Sequence, residues 1–411
     1  VSASQRLLVI TRKIDNPSFR QRIQPYIEPL AARGIDCDVQ ELAKGRGRRA
    51  QLKSARNYLG VWIHKKTLTV MDAFRLRRNA KKVIYEFDDA IVFRSGSESE
   101  DPHPLRLKRF RRTIALANLV IAGNEVLENL ARDCGAKEVV VIPTGLDTSR
   151  YIPKVHEPKP DLETDNEPDH EPDQEPDLEP DHEPDNKPDD EPDDEPDHEP
   201  DIEPDHEFSP DTDEYTDEYT DEYTDDYSDE YGEQYNDEAR LVWIGSSSTL
   251  KQLRLFSEML DSIGWELPGV TLRVIADDKL TTETLPVENL PWSREEEARM
   301  LNECDIGIAP LPDTPFARGK CAFKVLQYMA AGLPVVTSPI GANAEYVTDY
   351  ESGFHAYDDR HWIDSIAQLI SDPELRATQG AAGRQKAVDE FDFKVLAPKV
   401  CDAIVGVLES E

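Results

Sequence analysis

From Glu157 to Pro210 the chain repeats E-P-D-x, with His, Gln, Leu, Asn, Asp or Ile at the variable place. From Asp213 it passes into D-E-Y-T repeats that decay towards Tyr235. Neither helix nor sheet can use such a run. A proline at every fourth place removes backbone donors, almost no apolar side chain is available for burial, and like charges push the segment open. A disordered, partly polyproline-II-like segment is therefore expected, and its period is far too short for a solenoid. Whatever folds must fold from the sequence on either side.

The charge follows the same division. Residues 156–240 hold 40 acidic and 3 basic side chains, the whole of the chain's net −37, so the rest of the chain is neutral in sum. Adaptation to high salt would acidify the folded surface as well, and is excluded on that ground. Residues 1–155 carry 29 basic and 17 acidic groups, and residues 241–411 carry 15 and 27. The chain reads as a basic domain, 1–155, an acidic linker, 156–238, and a mildly acidic domain, 239–411, with a return of the last helix to the first domain left open. The linker has three open roles: a charged spacer, an intramolecular partner for the basic domain, or a loose binder of divalent cations.

The five cysteines, Cys37, Cys134, Cys304, Cys321 and Cys401, are scattered without metal-binding spacing, which suits a reducing compartment. No stretch approaches the roughly 20 apolar residues of a membrane span. Leu7 to Ile10 is too brief for a signal peptide. A cytoplasmic protein is the expectation, with attachment to a membrane surface open.

On both sides of the linker, short apolar strands alternate with helices. Strands are expected at 6–11, 35–39, 59–63, 83–87, 118–123 and 138–142, then at 239–245, 270–276, 305–310 and 333–336. Phe19 to Ala32 is expected to be a helix that Pro25 and Pro29 bend or shorten. Lys386 to Val407 is expected to be a helix interrupted at Pro398. This alternation predicts an α/β protein with two Rossmann-like domains facing a cleft.

Three stretches carry chemistry. In Phe316 to Ala342 a helix is expected to open at Gly319-Lys320, to stop at Gly332 and to lead into a buried strand and a second glycine turn at Gly341. Free N–H groups and a lysine at such a start suit a phosphate-bearing ligand, although an ordinary α/β connection has the same spacing. Gly245, followed by Ser246 to Thr249 and Lys251, is a second phosphate-facing loop or else a simple capped helix. Glu86-Phe87-Asp88-Asp89 ends a strand where doubly wound sheets place ligands, so Asp88 and Asp89 are candidates for an acceptor hydroxyl, a basic partner or a cap. The basic runs 44–56 and 106–117 suit anionic headgroups, a pyrophosphate-linked acceptor or a solvated face. Nucleic acid ranks low, because no recognition signature or stacking pattern accompanies them.

VIYEFDDAIV (83–92), LVIAGNEVL (119–127), VVVIPTGLD (139–147), LVWIGSSST (241–249), ECDIGIAPLPDTPFARGKCAFKVLQYMAAGLPVVTSPIGANAEYV (303–347) and ESGFHA (351–356) together resemble glycosyltransferase family 4 enzymes of the GT-B fold. The likeness is to a branch carrying GKC-x-x-K-x-L-Q-Y-M-A-A-G. It implies retaining transfer of a sugar from a nucleotide-diphosphate sugar to a hydroxyl acceptor, with no metal and no cofactor beyond the donor. The second domain would hold the donor. The first would hold the acceptor, a glycan or lipid-linked molecule; the basic charge of that domain favours the lipid-linked form, with peripheral contact to an anionic membrane at its inner face left open. The basic pair that grips the diphosphate in such enzymes falls here on Ser246 and Lys251. Their paired glutamates fall on Gly319 and Gln327, of which Gln327 retains an amide for the ribose. The resemblance further implies Lys320, Lys324 and backbone groups at Gly245 and Gly341 against the diphosphate, and Asp88 as a sugar or acceptor contact. A GT-B epimerase or phosphorylase, or a nucleotide- or glycan-binding protein that has lost catalysis, are the alternatives.

Overall fold

The computed structural model describes residues 5–94, 99–153 and 238–410, and the expected disorder of the acidic repeat lies outside the described residues. The framework is a pair of six-stranded parallel sheets. The first contains β1 (Gln5–Thr11), β2 (Ile35–Glu41), β3 (Gly60–His64), β4 (Val83–Phe87), β5 (Leu119–Ala122) and β6 (Val139–Val141), in the order β2-β1-β3-β4-β5-β6. The second contains β7 (Ala239–Ile244), β8 (Val270–Ile275), β9 (Val287–Leu290), β10 (Ile306–Ala309), β11 (Val335–Thr337) and β12 (Gly353–His355), in the order β12-β11-β10-β7-β8-β9. Strand order therefore reverses beside β1 and beside β7, and ligands of open α/β sheets bind at the carboxyl ends of strands at such points.

Each sheet is buried on both faces, as its near-continuous apolar strands require. In β1, Leu7 and Val9 pack with Phe19 of α1 (Pro17–Arg22) and Leu30 of α2 (Ile27–Ala32). Leu8 and Ile10 point the other way. They join a cluster with Leu52 of α3 (Gly45–Ser54), Leu76 of α4 (Val70–Asn79), Phe110 of α5 (Pro104–Ile114) and Leu127 of α6 (Glu125–Asp133). The second lobe repeats the plan. Leu241 and Trp243 of β7 pack with α7 (Ser247–Leu253) and α8 (Ser257–Glu266), while Val242 and Ile244 pack towards α9 (Glu297–Asn302) on the opposite side. The chain continues through α10 (Pro315–Arg318), α11 (Phe323–Ala330), α12 (Ala342–Tyr346), α13 (Asp359–Ser371), α14 (Pro373–Phe391) and α15 (Phe393–Glu409). Each fully buried large apolar side chain in these layers contributes about 1.5–3 kcal/mol.

Local departures from the expected elements have identifiable causes. The helix over 19–32 is broken into α1, a 3₁₀ turn at Gln24–Tyr26 and α2, because Pro25 has no N–H to donate to the Gln21 carbonyl and so interrupts the α-helical ladder. Pro29 sits in the first turn of α2, where its missing N–H costs nothing. The C-terminal break lies at Asp392, not at Pro398, which is accommodated inside α15. Asp392 accepts from the Lys394 N–H at 2.8 Å, capping α15, and from the Thr148 N–H at 3.1 Å. Leu146 pairs with the same corner through both of its backbone groups. From this crossing α15 returns to the first lobe, where Leu396, Val400 and Ile404 pack with Leu7, Val9 and Trp62.

Candidate functional site

The carboxyl ends of both sheets open on one cavity of about 450 Å³. From the first lobe, Asn16 and Ser18 line it after β1, Lys65 after β3, and Asp88 and Asp89 after β4. From the second, Gly245, Ser246, Ser248 and Thr249 line it after β7, with Lys320 to Lys324, Gln327 and Asn343 opposite.

The first-lobe wall is a network of matched charges. Lys65, held at a left-handed φ of 55°, turns its ammonium to Asp88 Oδ1 at 2.6 Å and to Asp89. A non-glycine residue in that conformation is strained, and strain of this kind gathers at functional sites. Ser18 Oγ donates to Asp88 Oδ2 at 2.7 Å and lies 3.0 Å from His64 Nε2, while Thr11 Oγ1 lies 2.9 Å from His64 Nδ1. Since the Ser18 hydroxyl proton goes to Asp88, a neutral His64 donates from Nε2 and accepts the Thr11 hydroxyl at Nδ1. Burial pushes His64 down to about 4, consistent with that neutral form. Behind it, the Arg22 Nε donates to Glu86 Oε1 at 2.6 Å with both side chains buried. Burial lifts the Glu86 carboxyl to about 7, although Arg22 opposes the rise. Burial also acts to raise Asp88, but Lys65 and Arg22 outweigh it and hold the carboxyl at about 2.

The second-lobe wall differs. The N–H of Ser246 donates to Thr249 Oγ1 at 2.9 Å, and the Ser246 hydroxyl lies 2.9 Å from that of Ser248. The loop after β7 thus caps α7 with its own groups. By contrast, α11 begins at Ala322, a left-handed residue with φ 43° whose side chain offers no cap, so its first N–H groups face the cavity without a side-chain partner. The expected helix start at Gly319-Lys320 is corrected accordingly. Lys320 and Lys324 flank this uncapped end. Lys320 donates to Gln252 Oε1 at 2.5 Å, and burial lowers its pKa, with Asp89 opposing. Lys324 lies over the Trp243 ring at 4.6 Å and makes no hydrogen bond or ion pair among the described residues. Burial first, and the neighbouring charge of Lys320 second, bring its pKa down to about 7.

The remaining candidates divide. Gly245, Ser246, Asp88 and Gln327 line the cavity. Gln327 directs its amide nitrogen to Tyr151 Oη at 3.4 Å and to Glu297 Oε2 at 3.3 Å. Gly341 adopts φ 54°, and a Cβ there would stand 2.3 Å from the Arg318 carbonyl oxygen, so the chain passes close behind α10 at a residue that is not among the cavity lining. Lys251 is exposed on α7 and stands outside the cavity lining. Ser18, His64, Lys65 and Arg22 went unidentified in the sequence. The signal for Lys65 was present, since VWIHK ends a strand in charge just as VIYEFDD does.

At the matching position of the first family glutamate, the structure leaves no room. A Cβ on Gly319 would come 2.5 Å from the Ala90 Cβ and 3.0 Å from Leu127. The same turn is fastened to the first lobe by Asn124 Nδ2 donating to the Lys320 carbonyl at 3.0 Å and by Cys321 Sγ donating to the Asp88 carbonyl at 3.2 Å. Among the described residues no three His, Cys, Asp or Glu side chains are grouped to hold a metal ion, and no helix is long and apolar enough to cross a membrane.

Residues 238–372 match the family model described as glycosyl transferases group 1. No curated protein matches the sequence. Among solved structures, sucrose-phosphate synthase from Thermosynechococcus elongatus aligns with a TM-score of 0.62 at 13% identity, covering 99% of this chain and 100% of that one. HepE from Anabaena in complex with UDP and glucose aligns with a TM-score of 0.58 at 14% identity over 98% of this chain and 100% of its own. A glycosyltransferase from Rickettsia africae aligns with a TM-score of 0.58 at 10% identity over 99% and 100%. The two parallel-sheet lobes with a cleft between them share that common GT-B arrangement.

Proposed function

We propose that this protein transfers a sugar from a nucleotide-diphosphate sugar to a hydroxyl acceptor, with retention at the anomeric carbon. The observation that carries the reading is the uncapped start of α11 between Lys320 and Lys324 on the cavity floor. Two half-buried ammonium groups and unpartnered backbone donors, with no carboxylate in hydrogen-bonding contact, form a site that an anion completes. A diphosphate lying there gains charge as the sugar departs, and donors already in place stabilise that charge without reorganising. Lys320 and Lys324 take the role that the sequence pattern assigned to Lys251. The amide nitrogen of Gln327 is committed to Tyr151 and Glu297, which leaves its carbonyl oxygen to accept from a ribose hydroxyl. Asp88, ionised and fixed by Ser18 and Lys65, contacts the sugar or the incoming acceptor hydroxyl. The acceptor is a glycan or lipid-linked glycan, and peripheral contact with an anionic membrane belongs to the same reading.

The match over 238–372 and the bound UDP in the HepE complex support UDP-sugars as the first donors to try. Calorimetric titration with UDP, GDP and ADP, followed by a free-nucleotide turnover assay on the corresponding sugars, tests the assignment. Binding of one diphosphate that Lys324→Met weakens, with slow donor hydrolysis, is the expected result. A titration without heat for any diphosphate removes the reading. The bare Gly319 favours one alternative, a binder without turnover, and diphosphate binding with no nucleotide release from any sugar donor would establish it.

A further inference from the structure

Helices α3 and α4 pack against each other and carry seven cations and one carboxylate, Asp72. Towards their last turns they enclose an open depression of about 470 Å³. Arg49, Lys53, Arg56, Arg75 and Arg78 line it, together with Phe74 and Asn79, and no carboxylate does. Arg75 lies 3.6 Å from Asp72, which Arg48 shares at 3.3 Å. The other four cations have no ion pair among the described residues.

Two of these cations are held in place. Arg56 donates from Nε and Nη2 to Asn79 Oδ1 at 3.1 and 2.5 Å, and Asn79 Nδ2 donates to the Arg75 carbonyl at 2.7 Å. The Arg78 guanidinium stands 5.5 Å from the Phe74 ring. A merely solvated basic face has no reason to fix its cations, because ordering a long side chain forfeits rotamer freedom. Like charges gathered in one hollow also repel one another, and no group on its lining relieves that. A bound anion does.

The depression is separate from the cleft. Arg56 comes just before β3 and Asn79 just before β4, so the hollow lies at the amino ends of these strands. Lys65 and Asp88 line the cavity at their carboxyl ends, with the length of β3, roughly 16 Å, between the two places.

We propose that this depression binds a soluble small molecule carrying three or more clustered phosphates. Five cations around one hollow call for several negative charges in a small volume, more than a lone phosphate or carboxylate supplies. Guanidinium forks match phosphate oxygens two at a time. The cations converge on a concavity and do not follow a stripe, which suits a compact ligand better than a nucleic-acid backbone. Inorganic polyphosphate and a nucleoside triphosphate share this chemistry. Phe74, 54% exposed, adds a ring face on which only the nucleotide can stack. The inference stands apart from the chemistry assigned to the cleft.

The test is calorimetric titration of the full chain with inorganic tripolyphosphate, ATP and orthophosphate, each with and without saturating UDP. Saturation of one site by tripolyphosphate, unchanged by UDP, is expected, with orthophosphate roughly 100-fold weaker. Arg49→Gln with Lys53→Gln alters two exposed side chains and should weaken tripolyphosphate by roughly 100-fold, about tenfold for each. Asn79→Ala, which frees Arg56 without removing charge, should weaken it several-fold. Thermal melts check that the variants fold. ATP binding tighter than tripolyphosphate, with the difference lost in Phe74→Leu, assigns the nucleotide, and equal binding assigns the inorganic chain. Displacement by UDP, equal affinity for orthophosphate, or unchanged binding by the Arg49→Gln, Lys53→Gln protein overturns the proposal. So does capture on phosphatidylglycerol vesicles with no heat from tripolyphosphate. The UDP titration separates the two readings: tripolyphosphate bound here without any UDP binding removes the transferase assignment and leaves this site standing.

Discussion

The two walls of the cleft handle charge in opposite ways. On the first-lobe side every ionic group has a partner supplied by the chain: Arg22 with Glu86, Lys65 with Asp88 and Asp89, and Ser18 between His64 and Asp88. On the second-lobe side, among the described residues, Lys324 has only the face of Trp243, and the start of α11 has no side-chain cap. The first wall is finished by folding. The second is left open, as the proposed diphosphate site requires. The contrast separates residues that hold the site in shape from residues held in reserve for substrate, and it predicts opposite consequences when each is removed.

The largest effect falls on the finished wall. Arg22→Met strips the buried Glu86 of its partner, and breaking such a pair costs about 3–5 kcal/mol, read as a fall in the denaturant midpoint. Adding Glu86→Gln should recover part of the loss, since the uncompensated carboxylate is then gone. An Arg22→Met protein as stable as the parent would mean that this wall is not held by its ion pairs.

Lys324→Met inverts the pattern. The free protein should become more stable, because a buried cation without a counter-charge is removed, while diphosphate affinity falls by about 10–100-fold, the worth of a charge-assisted hydrogen bond. The pH dependence has a definite sign. In the unfolded chain this lysine titrates near 10.5, and in the folded protein near 7. Between those values the unfolded state holds the extra proton, so the contribution of Lys324 to stability rises with pH above about 7 and is at its most unfavourable below it. Binding of an anion restores the proton. Diphosphate affinity should therefore weaken as pH rises from 7 towards 9, and the slope should flatten in Lys324→Met. Equal slopes for the two proteins would assign the anion to other groups.

Much of this contrast was readable from the sequence. Alternating apolar strands and helices gave the first sheet and four of the six strands of the second, missing the edge strands β9 and β12, and placement at strand ends singled out Asp88, Gly245 and Ser246. The cluster Lys320, Lys324 and Gln327 followed from the resemblance. What escaped notice depends on contacts that no local pattern encodes. Ala322 is left-handed where pattern rules expect glycine, so the sequence gives no sign that α11 starts after Lys320. The break at Asp392 is made with Thr148, 244 residues away, whereas Pro398, the obvious breaker, sits inside a helix. The family pattern alone registers Gly319 as a missing carboxylate. The structure shows a contact surface there, and Gly319→Glu should not restore a glutamate function. It should displace the Ala90 side of the cleft at a cost of about 1–3 kcal/mol, with weaker diphosphate binding and a lower melting temperature.

The smallest effect is the most discriminating. Motif alignment puts Lys251 against the diphosphate, while the fold leaves it exposed on α7 and outside the cavity lining. The charge of Lys251 reaches Asp278, an exposed carboxylate held low first by the Lys279 N–H, next by Arg254 and only last by Lys251. Substitution of such a side chain changes stability by less than about 0.5 kcal/mol. Lys251→Ala should therefore bind diphosphate within about twofold of the parent, a free-energy difference below about 0.5 kcal/mol. A loss as large as that of Lys324→Met would show that α7 turns its lysine inward when a nucleotide arrives. The contrast between the walls would then hold only for the empty cleft.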